Sequence, residues 1–199
     1  MNLFLAVSSL TLAAYAGPET FDFKDPKGVN NVVFKTDAPL ESINGAATNV
    51  SGTVTFDPAN PAGLKGKIVV EATSLHVPSA MMQGHLHGDQ WLNVAKFPQI
   101  TFETVSVDNV KTEGDNTTAN VTGNFTLHGV TKKITVPVKL TYLKDKLKDR
   151  LPNLQGDLLV LRSEFVVKRS DYDINKGKFE DKVSDEIHLT LSVAGQSPR

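Results

Sequence analysis

From Thr117 to His128 the chain alternates. Ala119, Val121, Gly123, Phe125 and Leu127 fall on one parity, and Asn120, Thr122, Asn124, Thr126 and His128 on the other. A period of two sends successive side chains to opposite faces of an extended chain, so this segment predicts a strand with one apolar face. Gly129 follows as a turn signal. Ile134, Val136, Val138, Leu140 and Tyr142 then resume the alternation against Thr135, Pro137, Lys139 and Thr141. Two such runs joined by a short Gly-containing connection predict a β-hairpin. Pro137 offers no N–H to a ladder, which points to an edge-like or irregular position.

Six further segments carry the same signature: Val32 to Thr36, Val50 to Phe56, Lys67 to Ser74, Gln99 to Val107, Leu158 to Val167 and Ile187 to Val193. Each is short, rich in Val, Ile, Thr and Phe, and bounded by Gly, Pro, Asn or Asp. About eight strands, mostly without helices between them, predict an all-β fold. Eight antiparallel strands close into a barrel whose interior either fills with side chains or holds one small ligand. Two segments depart from the pattern. Pro78 to Gln90 reads as a short helix or irregular loop, and Tyr142 to Leu151 as a short amphipathic helix ended by Pro152. No repeat or linker divides the chain, so residues 17–199 form one expected domain.

Composition narrows the class. Hydrophobic residues at 40% and charged residues at 22% suit a globular protein. A net charge of -1 gives no electrostatic reason to expect nucleic acid as a partner. Beyond the first residues no stretch is apolar for long enough to span a bilayer, so stable membrane insertion is not expected. Leu3 to Ala16 carries no charge and closes on Ala14-Tyr15-Ala16, the pattern of a signal peptide cleaved after Ala16. Export to the periplasm or beyond follows. With no cysteine the chain has neither disulfides nor thiol chemistry. Asn-x-Ser/Thr triplets begin at Asn49, Asn116, Asn120 and Asn124, and they read as strand composition.

Three blocks stand out. The first is His85-Leu86, four residues, then Trp91-Leu92-Asn93-Val94-Ala95-Lys96-Phe97-Pro98-Gln99-Ile100-Thr101-Phe102. The second runs from Gly123 to Lys132 as GNFTLHGVTK, and the third from Arg169 to Ile174 as RSDYDI. In order and spacing they resemble the YceI-like family of periplasmic, lipocalin-like, polyisoprenoid-binding proteins. Trp91-Leu92 stands where the family commonly has Phe-Phe, and Asp173 where it commonly has Gly. The resemblance implies an eight-stranded antiparallel lipocalin-like barrel with one or two short helices and an apolar channel for an isoprenoid or fatty-acyl chain. It also implies export, no known catalytic activity, and a link to isoprenoid quinones or to stress responses.

The alternating faces nominate Phe34, Val54, Ile68, Val70, Phe102, Val121, Phe125, Leu127, Phe165, Val167, Leu189 and Leu191 as inward, with the register still open because a one-residue slip exchanges the faces. The same residues serve equally well as a packed core. Met81, Met82 and Trp91 suit an adaptable lid, and Trp91 with Phe97-Pro98 alternatively a plug. His85 either bonds a backbone carbonyl to fix its loop or pairs with His87 on a metal, with Asp89 or His128 completing the set; no HExxH-like spacing supports the metal. Arg169 and Asp171, with Asp173, either bind a polar head group at the mouth or lock the strand end by an ion pair or turn. The charges from Lys144 to Arg150 are mixed and read as a solvated face.

No Gly-x-Ser-x-Gly elbow or Gly-rich phosphate loop is present, and no cofactor or metal is expected. The expectation is an exported, non-enzymatic binding protein for a long-chain isoprenoid, quinone or fatty-acyl lipid. A lipid-acting hydrolase or isomerase and a ligand-free structural or stress barrel are the alternatives, with a homodimer left open.

Overall fold

The computed structural model describes residues 17–199; the leader expected at 1–16 lies outside the described residues. The strands are β1 (Glu19–Asp22), β2 (Asn31–Asp37), β3 (Ser42–Ala47), β4 (Val50–Phe56), β5 (Lys65–Glu71), β6 (Leu75–His76), β7 (Gln99–Glu113), β8 (Asn116–Leu127), β9 (Val130–Leu143), β10 (Gly156–Lys168) and β11 (Glu186–Pro198). Two helices interrupt them, α1 (Ala80–His87) and α2 (Leu147–Arg150).

These eleven segments build eight staves. β1 and β2 lie end to end along β11, with Asp22 opposite Gln196 and Asn31 opposite Ser192. β3 and β4 continue one another beside them, as do β5 and β6. β5 then pairs with β7, and β7 to β11 follow in order, so the sheet closes into an antiparallel barrel. The short pieces β1, β3 and β6 escape a periodicity reading because each is brief or poor in bulky apolar residues. The run expected as one strand from Lys67 to Ser74 breaks at Glu71, where a 3-10 turn at Ala72–Ser74 swings the chain and the Ala72 N–H donates to the Pro98 carbonyl at 2.8 Å.

Breaking a stave strands backbone groups, and buried ones need partners. At the first break, residues 23–30, the Asn30 side chain substitutes for a strand residue. Its Nδ2 donates to the carbonyls of Phe23 and Ala194 at 2.9 and 3.1 Å, and its Oδ1 accepts from the Ala194 N–H at 2.8 Å. Asp25 gathers the N–H groups of Lys27, Val29 and Asn30 and pairs with Arg150 at 2.9 Å. Burial pushes its carboxyl up, but those donors and the guanidinium outweigh it and hold the pKa below the usual carboxylate value.

β9 is longer than the sequence suggests, running through Tyr142 and Leu143 rather than yielding to a helix at Tyr142. Those residues pair with Leu159 and Leu158 of β10, so the strand continues and α2 shrinks to one turn. On its other half the ladder to β10 ends with Val138 opposite Ser163, beside Pro137 with its missing N–H.

One end of the barrel is a packed floor. Phe21, Phe23, Phe56, Leu140, Leu147 and Leu159 are fully buried there, and the Tyr142 ring stands 6.3 Å from those of both Phe21 and Phe56. Beneath it, Tyr142 donates to buried Asp157 at 2.5 Å, and Arg199 reaches both Asp157 and Asp145. Glu19 faces this cluster with Oε2 buried and unpartnered. Burial and the negative Asp157 push its carboxyl above the usual value, and Arg199 only partly offsets them. A carboxyl raised in the fold makes stability fall as pH climbs through the window above its unfolded value near 4.3. Glu19→Gln removes that loss. Denaturant melts are expected to show the variant more stable than wild type at about pH 7, with the gain gone below about pH 4; an equal gain at both would contradict the assignment.

Candidate functional site

Above the floor the barrel is hollow. A cavity of about 950 Å³ runs from Val54, Leu64 and Val138 up to α1 and the β10–β11 loop. Two wall positions explain why the inward aromatics do not fill it. The Phe34 ring lies across Gly45, its register partner on β3, where a Cβ would collide with the ring. The tip of Phe102, whose own register partner is Phe125, reaches diagonally to Gly123 of β8, where a Cβ would collide with it. In both cases the neighbouring strand makes room for the tip of the ring by carrying no side chain at the point of contact.

All twelve residues nominated as inward from the alternation line this cavity. Of the other candidates, Met81, Met82, His85, Trp91 and Arg169 also lie on its wall, at the mouth. Phe97 and Asp171 do not. Phe97 packs over the β8–β9 turn, 4.6 Å from the His128 ring and against Gly129, whose missing Cβ makes room for it. Asp171 is exposed and pairs with Lys132 of β9 at 2.9 Å, so the alternative of an ion pair at the strand end describes it.

Helix α1 forms one lip. Ser79 caps it, accepting from the Met82 N–H, and Gly88 ends it. Gln83 fastens it to the barrel: the Val77 N–H donates to its Oε1 at 2.8 Å, and its Nε2 donates to the Leu75 carbonyl at 2.7 Å. His87 Nε2 lies 2.7 Å from that same carbonyl. The loop-fixing bond expected of His85 is therefore made by His87, and His85 stands exposed at the mouth. His128 Nδ1 lies 3.1 Å from the Tyr172 carbonyl. Among the described residues no group of three or more His, Asp or Glu is placed to hold a metal.

The opposite lip is the β10–β11 loop, and Arg169 organises it. This side chain is 2% exposed. Its Nε donates to the Ser184 carbonyl at 3.2 Å, Nη1 to Ile174 and Asn175 at 2.9 and 2.5 Å, and Nη2 to Lys178 and Val183 at 2.5 and 3.1 Å. A guanidinium has five N–H groups, and five carbonyls take them. Of the two roles open to Arg169, a head-group ligand or a lock on the strand end, this geometry is that of a lock, with every donor engaged by the loop. The guanidinium also lies 5.9 Å from the centre of the Trp91 ring, a cation–π arrangement. No sequence signal foretold this, because the carbonyls lie on a stretch whose path only the fold defines. The loop contributes Ile174, Phe179, Lys182 and Val183 to the wall, all missed from the sequence because no periodicity marks them.

An antiparallel barrel with one filled end, one open end and an apolar hollow between them belongs to the ligand-enclosing class of β-barrels. The chain is a member of the YceI-like family, whose YceI-like domain model matches residues 25–194. It is 35% identical over 151 residues to "Protein YceI" of Salmonella arizonae, covering 76% of this chain and 72% of that one. Burkholderia cenocepacia BcnA superposes with a TM-score of 0.67 at 23% identity, over 83% of this chain and 95% of the other. A polyisoprenoid binding domain from Saccharophagus degradans, implicated in plant cell wall breakdown, superposes with a TM-score of 0.63 at 12% identity, over 92% and 99%. At those identities the likeness to the solved structures is one of fold.

Arg169→Lys offers three N–H donors for five carbonyls and loses the planar fork. It is expected to lower stability by about 1–3 kcal/mol in denaturant melts and to speed proteolytic cleavage between residues 173 and 185. Unchanged melting and cleavage would contradict the role given to this residue.

Proposed function

We propose that this protein is an exported carrier that takes the hydrocarbon tail of one long-chain amphiphile, a polyisoprenoid, isoprenoid quinone or fatty-acyl lipid, into its barrel. The observation that carries the reading is the hollow itself, whose volume stands near the top of the roughly 300–1,000 Å³ range of ligand pockets. Family membership supports it, as does the fold shared with a domain described as polyisoprenoid binding. A ligand-free structural barrel has no use for such a space, and a filled interior is the common outcome for eight strands.

The binding reading is also favoured over an enzymatic one by where the ionisable groups lie. Glu41, His85, Asp89, Arg169 and Lys182 are the titratable side chains on the wall, and all belong to the mouth. The deeper wall is built from aliphatic and aromatic groups with a few hydroxyls, Ser163 among them, and the Ser163 hydroxyl donates to the Pro137 carbonyl.

Energetics define what such a site can select. Withdrawing a tail from water yields about 0.8 kcal/mol per methylene, and a tail of tens of carbons would exceed the ceiling of about -18 to -21 kcal/mol known for any complex. The tail's real alternative is a membrane, where it is already out of water. Exchange is therefore near neutral in apolar burial, and selection rests on the length and shape of the hollow and on the groups at its mouth.

Native mass spectrometry of detergent-free protein followed by organic extraction is expected to reveal a co-purifying mass in the prenol, quinone or fatty-acid range. Protein that arrives empty and takes up none of these when they are offered would refute carriage. Leu191→Trp sets a larger side chain on the cavity wall, in the space the tail would take. The variant is expected to bind a long-chain probe several-fold more weakly with its circular dichroism unchanged; affinity equal to wild type would show that the hollow is not where the tail sits.

A further inference from the structure

The two most exposed large apolar side chains among the described residues, Met81 at 70% and Leu40 at 68%, stand at the mouth of the hollow, and Phe179 at 49% joins them. They come from three separate segments. Met81 is on α1, Leu40 on the β2–β3 turn and Phe179 on the β10–β11 loop. The segments are tied together: the Leu40 N–H donates to the Asp181 carbonyl at 2.9 Å, and the Phe179 ring lies 6.0 Å from that of Trp91 on the cavity wall.

Phe179, half-exposed at the edge of the wall, is held in place by construction. Its backbone sits at φ 59, the left-handed region that a bulky side chain rarely adopts. Arg169 grips the carbonyls of Lys178 before it and Val183 after it, and the N–H groups of Lys182 and Val183 donate to its own carbonyl. Strain of this kind persists where the surroundings impose it, and it gathers at working surfaces.

From these observations we infer that the mouth is a membrane-docking surface, with Leu40, Met81 and Phe179 entering the interfacial layer of a lipid bilayer. The inference rests on the carrier reading, and two further points favour a bilayer as the occupant. A hydrocarbon tail cannot cross open water without losing the burial it has in the membrane, so the opening that admits it must abut its source. The rim's charges nearly cancel, with Lys176, Lys178 and Lys182 set among Glu41, Asp89, Glu180 and Asp181. That leaves apolar insertion, rather than attraction to an acidic or basic partner, as the driving force.

The test is flotation of the protein with vesicles of pure phosphatidylcholine. Wild type floats with the vesicles, and about 0.5 M sodium chloride leaves that unchanged, since surface charge is screened at such salt while apolar contact is not. Leu40→Asp, at a position outside the cavity wall, lowers partitioning at least about fivefold, and adding Phe179→Ser lowers it further. Val105→Asp, at a position 50% exposed on β7, leaves it unchanged. Failure of wild type to float, loss of binding at high salt, or equal effects of Leu40→Asp and Val105→Asp would overturn the inference.

A second measurement separates docking from carriage: uptake of a dansyl-labelled fatty acid delivered from ethanol without vesicles. Leu40→Asp takes up this probe as wild type does if docking and tail binding are distinct. Wild type that binds the probe yet never floats would retain the carrier reading and refute docking. Wild type that floats yet binds neither this probe nor a labelled polyprenol would refute the carrier reading and leave the docking surface standing.

Discussion

Everything in this structure depends on an interior face too thin to fill its own barrel. Eight staves enclose a space that inward side chains ordinarily occupy. Here the ring tips of Phe34 and Phe102, two of the largest candidates, press against Gly45 and Gly123 of adjoining strands, and most of the remaining wall is aliphatic. At the floor the opposite choice is made, with Phe21, Phe56 and Tyr142 meeting edge to face and tilted across the axis. The two ends of one sheet thus differ in how their aromatics are disposed, and a blind apolar tunnel results.

Breaks in the first three staves are the second ingredient. Residues 23–30, 48–49 and 72–74 interrupt strands that would otherwise run the full height. Each break requires new partners for backbone groups, which the Asn30 amide and Asp25 carboxylate provide at the first, the Ser74 hydroxyl at the second and the Pro98 carbonyl at the third. Past the third break the chain leaves the sheet as α1 and returns through the segment ending at Pro98, so the material that shapes the mouth originates where the staves fail.

Much of the wall was legible in the chain, because one parity of each strand is apolar and that parity turned inward in every strand from which a residue was nominated. Val121, Phe125 and Leu127 on β8 and Leu189 and Leu191 on β11 illustrate it. What alternation could not convey was anything held by groups distant in sequence or lying outside a periodic run. β3, whose sequence is SINGAA, has too little apolar bulk to announce itself. His87 rather than His85 fixes α1, since only the helix phase decides which imidazole meets Leu75. For Arg169 the sequence left a head-group ligand and a strand-end lock both open, because a cation beside a strand end suits either. Its actual partners are carbonyls of residues 174–184, and they converge only once the loop has folded around it.

The central claim is the persistence of an apolar hollow able to hold a hydrocarbon tail, and crystallography of the protein with a bound polyprenol tests it most directly. Continuous rod-like density is expected from the mouth between α1 and the β10–β11 loop down to Val54, Leu64 and Val138, with Phe34 still against Gly45 and Phe102 against Gly123. A barrel whose own side chains have collapsed into that space, leaving no density for the tail, would contradict it.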